Sequence, residues 1–336
     1  MKIKKLSTII LILVISSQVF AGKYAAEFLR IGVGSRALGM GGAFVALADD
    51  GTASYWNPAG LGNLSQHQLF FSHVQMFDNL AHHNFANISL KVGNSLGIGI
   101  SWIRLAVDDI PSYSELKGTR YDRFMNPDLR STGRPEGYFG DIEDAFFLSF
   151  GKGFDFDLAL GGGLMPTLIP SRLSFGLSYK YISQKLDRAA GKGQGLDIGM
   201  KLSFMGLTSD ENVQQRNLSF GMNLQNISGT TIVWNTAHHN RDQLPLSLLV
   251  GMSYSERLPW LNSLITLSLS RDNSYEASSH WGGELTFNNL LSLRIGMQDN
   301  ELTAGAGFKI FWFRVDYAFV SYDLGNSHRI SGAVEF

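Results

Sequence analysis

The sequence predicts an all-β fold, a transmembrane antiparallel β-barrel of about 14 strands, and three observations carry that prediction. Apolar residues recur with period two from about residue 66 to the C-terminus. The alternating runs are long, about 8–10 residues, where soluble strands average five or six and a tilted membrane strand needs about 9–11. Composition agrees: charged residues are 17% of the 336, below the roughly 25% usual in soluble proteins, while aromatics reach 12% and glycines number 37.

The first residues read as a secretory signal over 1–21. Lys2, Lys4 and Lys5 precede an apolar run from Leu6 to Ile15, and Val19-Phe20-Ala21 offers a small-x-small site with cleavage after Ala21. That run is too short to span a bilayer as a helix, and no later stretch is apolar for about 18 residues, which leaves strands as the spanning elements. With no cysteine in the chain, neither a lipid-anchored N-terminus nor a disulfide scaffold is expected. A formal net charge of -1 without a long basic run excludes the electrostatic footprint of a nucleic-acid binder. The expected location is the bacterial outer membrane, with outer-membrane lipid and the barrel-assembly machinery as partners.

The strands can be justified in order. "LSFGLSYKYIS" sets Leu173, Phe175, Leu177, Tyr179 and Tyr181 against Ser174, Gly176, Ser178 and Lys180, and "GLDIGMKLSF" repeats the division from Leu196 to Phe204. The same alternation predicts strands at 66–76, 83–92, 95–105, 143–152, 173–184, 195–205, 217–227, 245–255, 263–271, 281–288, 290–298, 302–309, 312–322 and 327–336. The polar face, with Arg294, Lys309, Arg314, Asp316, Arg329 and Glu335, suits a packed or wet lumen, and the apolar face suits lipid. Tight turns at Gly93-Asn94, Asn288-Asn289 and Ile310-Phe311 would share the periplasmic side with the C-terminus. The longer links 106–142, 228–244 and 272–280 would lie outside. "FDFDLALGGGLMPTLIPSR", Phe154 to Arg172, is too long for a periplasmic turn and reads as an extra hairpin half or an inserted plug element. The ending "HRISGAVEF" places Phe336 as a terminal assembly signal of outer-membrane barrels.

Candidate chemistry is sparse. Gly32-Val33-Gly34-Ser35-Arg36-Ala37 fits a dinucleotide fingerprint, but no βαβ pattern surrounds it, so with Gly39, Gly41 and Gly42 it reads as tight turns in a compact N-terminal segment. Asp49-Asp50 followed by glycine reads as turn chemistry rather than a catalytic pair, and Asp108-Asp109 reads as the start of an external loop. The pairs His82-His83 and His238-His239 lack metal-ligand spacing and read as solvated loops or strand ends. No G-x-S-x-G elbow supports an outer-membrane hydrolase. No catalytic, cofactor or metal residues are expected.

The blocks "FLRIGVGSRALGMGGAFVALADDGTASYWNPAGL" (Phe28 to Leu61), "LSFGLSYKYISQKL", "LPLSLLVGMSYS" and "SHRISGAVEF" resemble the PorV/PorQ family of outer-membrane proteins, distant relatives of the FadL fatty-acid transporters. The resemblance implies that residues 22–64 form an N-terminal hatch, or plug, within a barrel of residues 65–336. Gly39, Gly41, Gly42, Asp49, Asp50, Trp56, Asn57, Pro58 and Ala59 would be the hatch motif, with Asn57-Pro58 turning where its chain joins the wall. The family's usual tight turn is replaced here by the insert 154–172. The PorV likeness implies a non-enzymatic part in type IX secretion, binding secretion-system or exported proteins through loop 106–142 with Tyr113, Tyr121, Phe124 and Tyr138. The FadL likeness implies instead passive transport of a hydrophobic small molecule.

Overall fold

The computed structural model describes residues 26–77, 79–130, 133–161, 167–206, 216–273, 277–322 and 325–336; the signal segment 1–21 lies outside them. Sixteen strands occur among them: β1 (Gln68–Met76), β2 (Ala81–Val92), β3 (Leu96–Ser112), β4 (Gly137–Leu160), β5 (Thr167–Leu186), β6 (Ala189–Met205), β7 (Arg216–Gln225), β8 (Thr231–Trp234), β9 (Arg241–Gln243), β10 (Ser247–Leu258), β11 (Ser263–Asp272), β12 (Ser278–Phe287), β13 (Leu291–Gln298), β14 (Glu301–Ile310), β15 (Phe313–Tyr322) and β16 (Gly325–Glu335). Fourteen form a ring of antiparallel ladders. β1 pairs with β16, β5 with β6, and β7 with β10, so the sheet has no free side. β8 and β9 form a small hairpin that pairs with the start of β6, at Gly191–Gln194, and are not wall strands.

Closure matters physically because a bilayer offers no hydrogen-bond partners for an open sheet edge. Alternation then sorts the side chains. Phe175, Leu177 and Tyr179 face outward and are exposed, whereas Ser174, Ser178 and Lys180 are buried toward the lumen. The chain is therefore an outer-membrane barrel: it is closed, and its exposed face carries Leu, Ile, Val, Phe and Trp around the ring.

All fourteen expected strands are present, and their ends correct two readings. Among the described residues of 154–172 there is neither an extra wall strand nor a plug element. β4 runs on to Leu160 and β5 starts at Thr167, pairing as far as Leu160 with Thr167, so the segment is a hairpin extension of two existing strands. The external link 106–142 is also shorter than expected, because β3 and β4 pair out to Ser112 and Gly137. Asp108-Asp109 forms a bulge inside that ladder, with Asp109 at φ 56°, rather than starting a loop.

The N-terminal segment lies inside the ring. Its elements are 3-10 turns at Glu27–Arg30 and Pro58–Asn63 and short helices at Ser35–Gly39 and Ala53–Trp56. A row of wall glycines makes room for it. Gly97, Gly151, Gly176 and Gly199 stand in register across β3, β4, β5 and β6, all facing the lumen. The turn Pro58–Asn63 rests on this flat strip, so a Cβ on Gly176 would fall on the Pro58-Ala59 backbone. On the far side of the ring Gly41, at φ 63°, lies so close to β13 that a Cβ there would stand 2.6 Å from the Met297 nitrogen. Glycine is required at both places for close backbone approach.

Candidate functional site

Buried charges and apolar side chains share the lumen, and the densest group of ion pairs lies at one rim. Toward the rim that carries the C-terminus, Arg36 of the N-terminal segment donates from Nε and Nη2 to both Glu284 oxygens at 3.0 Å, and from Nη1 to Asp49 at 2.7 Å. Arg294 donates to Glu284 at 2.6 Å and to Asp316 at 2.8 Å. Arg314 reaches Asp50 at 3.0 Å and Asp316 at 3.0 Å. Lys309 donates to Glu335 at 2.6 Å. The alternation of β12–β16 puts these wall charges inward, where each meets an opposite charge at 2.6–3.0 Å.

Asp50 joins segment to wall. Its Oδ1 accepts from Thr52 N at 2.9 Å and from Thr52 Oγ1 at 2.6 Å, the turn chemistry expected of Asp-Gly-Thr, and its Oδ2 accepts from Arg314. Burial works to raise its pKa, but the Arg314 and Arg36 guanidiniums and the Thr52 hydrogen bonds prevail and hold the carboxyl below its ordinary value. Burial likewise opposes the charge of Arg36, and the Asp49, Glu284 and Asp50 carboxylates outweigh it, raising the pKa well above the ordinary arginine value. A cavity of about 240 Å³ opens beside this cluster, lined by Arg36, Asp49, Gln68, Lys309, Arg314 and Glu335 among others. Every carboxylate named here has a cationic partner.

Toward the opposite rim the lumen is mixed: Arg329, His83 and the Lys180–Asp197 ion pair, at 2.8 Å, are buried beside apolar side chains. Phe85, Ile103, Ile182 and Val320 of the wall, with Ile232 of the β8–β9 hairpin, pack into one cluster with Phe28, Val33 and Trp56. Above it a pocket of about 430 Å³ is lined half by Ile31, Met76, Phe77 and Tyr322 and half by Glu27, Arg30, Gln298 and Glu301.

The residues expected to form the hatch motif all lie within the lumen segment, but on two sides of it. Gly39, Gly41 and Gly42 sit against β12–β14: Gly41 N donates to Thr303 Oγ1 at 2.9 Å, and Gly41 O lies 2.7 Å from His280 Nδ1. Trp56, Asn57, Pro58 and Ala59 sit toward β5–β7. Trp56 Nε1 donates to Val33 O at 3.0 Å, Asn57 Nδ2 to Val45 O at 2.8 Å and Met200 O at 3.1 Å, and Ala59 N to Asn57 Oδ1 at 3.1 Å. Asn57-Pro58 therefore does not mark the junction with the wall, which comes later, at Gln68; it docks the segment onto the glycine strip. Asp49 is the partly exposed member of the set, facing the 240 Å³ cavity.

Gly32–Ala37 follows no strand and opens a five-residue helix inside the barrel, which removes the dinucleotide reading. His238-His239 is exposed as expected, but His83 is buried in β2 facing the lumen, because strand parity and not loop chemistry sets its direction. Tyr113, Tyr121 and Phe124 are exposed in the link 113–136, and Tyr138 is exposed in β4. Phe336 extends the closing pair: its N and O bond His67 O and N at 3.0 Å each. Sequence reading missed Arg36 and Glu284 as partners; an arginine followed at a distance by two aspartates gives no hint of a glutamate 248 positions away.

No protein-family model matches the chain, and no curated protein does. Several solved structures share its general form. The toluene transporter TbuX of Ralstonia pickettii aligns with TM-score 0.45 and 13% identity over 91% of this chain and 98% of that one. The toluene transporter TodX of Pseudomonas putida aligns at 0.46 and 12%, over 90% and 97%. A Pseudomonas aeruginosa FadL homologue aligns at 0.42 and 8%, over 94% and 100%. Likeness at this level speaks to neither ligand nor mechanism, which rest on the geometry of the chain itself.

Proposed function

We propose that the chain is a non-enzymatic outer-membrane conduit that lets small hydrophobic molecules pass, with residues 22–64 acting as its hatch. The observation that carries this is an apolar cluster running through the lumen beneath a 430 Å³ pocket at one rim, with the densest group of ion pairs at the other. An apolar solute entering at the pocket would gain by leaving water. It would stop at the level where Arg36 and Asp50 tie the segment to β12 and β15 until that tie gives way. Toluene, a compact apolar solute, is small enough for a pocket of that volume and is the first to try here.

The test is uptake of radiolabelled toluene and oleate by cells that carry or lack the gene. Several-fold faster uptake of at least one with the gene present is expected; equal uptake of both would sink the proposal.

A second reading follows from the PorV/PorQ resemblance, a part in type IX secretion. It is favoured by one observation, the exposed aromatics Tyr113, Tyr121 and Phe124 of the link 113–136 with Tyr138 just after it in β4, because exposed aromatics close together in the chain are typical anchors for a protein partner. Pull-down from envelopes with link 113–136 deleted tests it, and unchanged partner recovery would remove it.

A further inference from the structure

Arg329 of β16 is buried in the lumen outside the ion-pair cluster. Arg36, Arg294 and Arg314 each meet a carboxylate at 2.6–3.0 Å. Arg329, the largest fully buried side chain among the described residues at 1% exposure, meets none of theirs. Its guanidinium donates from Nη2 to the Tyr322 hydroxyl at 3.0 Å and from Nη1 to the Gly32 carbonyl at a long 3.5 Å, and Nε has no partner among the described residues. A charge taken out of water is costly unless an opposite charge or full hydrogen bonding offsets it. A guanidinium held this loosely therefore calls for an anion.

Two further buried polar groups stand beside it. Val74 of β1 pairs with Arg329 on one side and with His83 of β2 on the other, and all three face inward. Strands lie about 4.8 Å apart, so the Arg329 and His83 backbones are about 10 Å apart, and the two long side chains can meet over the shorter valine. His83 is 2% exposed and its Nε2 has no partner among the described residues. Ser327 lies two positions before Arg329, hence on the same face; it is also 2% exposed, with its hydroxyl likewise unpartnered. Ile31 packs on the Val74 cluster and the next residue, Gly32, reaches Arg329, so the N-terminal segment covers the spot.

We propose that Arg329, His83 and Ser327 hold one monatomic monovalent anion, of which chloride is the common example. Arg329 Nε, His83 Nε2 and the Ser327 hydroxyl donate to it. One such ion balances one guanidinium, with His83 neutral and carrying its proton on Nε2. Neither the 240 Å³ nor the 430 Å³ cavity is lined by Arg329, His83 or Ser327, so the space suits a halide better than an oxyanion or a carboxylate on a chain. Filled in this way, the site ties Gly32 to β16 through Arg329.

The experiment uses the full-length protein in detergent. It is crystallised from sodium bromide and, separately, melted in rising sodium bromide, sodium sulfate or sodium octanoate, with sodium gluconate keeping the ionic strength fixed. Anomalous scattering should place a bromide within hydrogen-bond reach of Arg329 Nε, His83 Nε2 and Ser327 Oγ. The melting midpoint should climb with bromide and level off, as one-site binding requires, and sulfate and octanoate should not reproduce the rise. Ser327→Ala and His83→Leu each remove one donor to an ion and should raise the half-saturating bromide concentration roughly ten-fold. Arg329→Met should abolish the dependence. A flat wild-type response, no bromide at these residues, an unchanged response in Ser327→Ala and Arg329→Met, or a sulfate or octanoate response as large as that of bromide would overturn the site.

Discussion

The two sides of the lumen hold the N-terminal segment in different ways. Against β3–β6 the contact is steric: Pro58–Asn63 lies on the strip Gly97, Gly151, Gly176 and Gly199, with Lys201 Nζ donating to the carbonyls of Leu47 and Ala48 at 2.9 and 3.1 Å. Against β12–β16 it is ionic, through Arg36, Glu284, Asp50 and Arg314. Close packing has no adjustable strength once formed, whereas a buried ion pair changes greatly when one partner loses its charge. The difference makes the β3–β6 side the fixed mounting of the segment and the β12–β16 side the one that can be loosened.

The largest expected effect is at the mounting. Gly176→Leu would force a side chain into the Pro58-Ala59 backbone, and no rotamer change relieves a clash that begins at Cβ. Overpacking of an ordinary core costs about 1–3 kcal/mol, and a side chain driven into a fixed backbone exceeds that. Folding of the purified protein, read as the heat-dependent mobility shift on gels, should fall sharply, with the segment 57–63 losing amide protection if a barrel still forms. Normal yield with normal protection at 57–63 would show that the segment does not need the strip.

Much of this architecture could be read from the sequence, and the limits are physical. Strand parity is local, so the alternation of Leu173 to Tyr181 gave both the strand and its inward face, and Arg294, Arg314, Asp316 and Glu335 could be assigned to the lumen without a structure. Register across the ring is not local. The glycine strip forms only when β3, β4, β5 and β6 are aligned, and the pairing of Arg36 with Glu284 only when the segment is folded into the lumen. The hairpin extension at 154–172 escaped for another reason. Phe154-Asp155-Phe156-Asp157 alternates like a strand, but its partner residues up to Arg172 include Pro170, and alternation cannot say whether two strands grow longer or a new one begins.

The middle effect is at the ionic side. Glu284→Gln leaves Arg36 and Arg294 buried against a neutral amide, and removal of one member of a buried ion pair costs about 3–5 kcal/mol. Because the β3–β6 mounting is untouched, the loss should appear locally: amides of residues 36–50 should exchange faster while those of 57–63 keep their protection. Equal acceleration of both stretches would mean that the segment moves as one body, and the contrast between the two sides would fail.

The smallest effect is graded by pH and acts through Asp50. Its carboxyl is held below its ordinary value in the folded protein, so it contributes stability that is complete above the unfolded value of about 3.9 and is lost as pH falls through the lower folded value. Protection of residues 48–53, corrected for the intrinsic pH dependence of exchange, should then be level from pH ~7 to ~5 and decline as the solution is made more acid than about pH 4. Asp50→Asn should start from a lower plateau and show a weaker acid decline, because Arg314 then faces a group that cannot titrate. A decline that begins on the alkaline side, or an identical profile in the variant, would show that Asp50 does not tie the segment to β15.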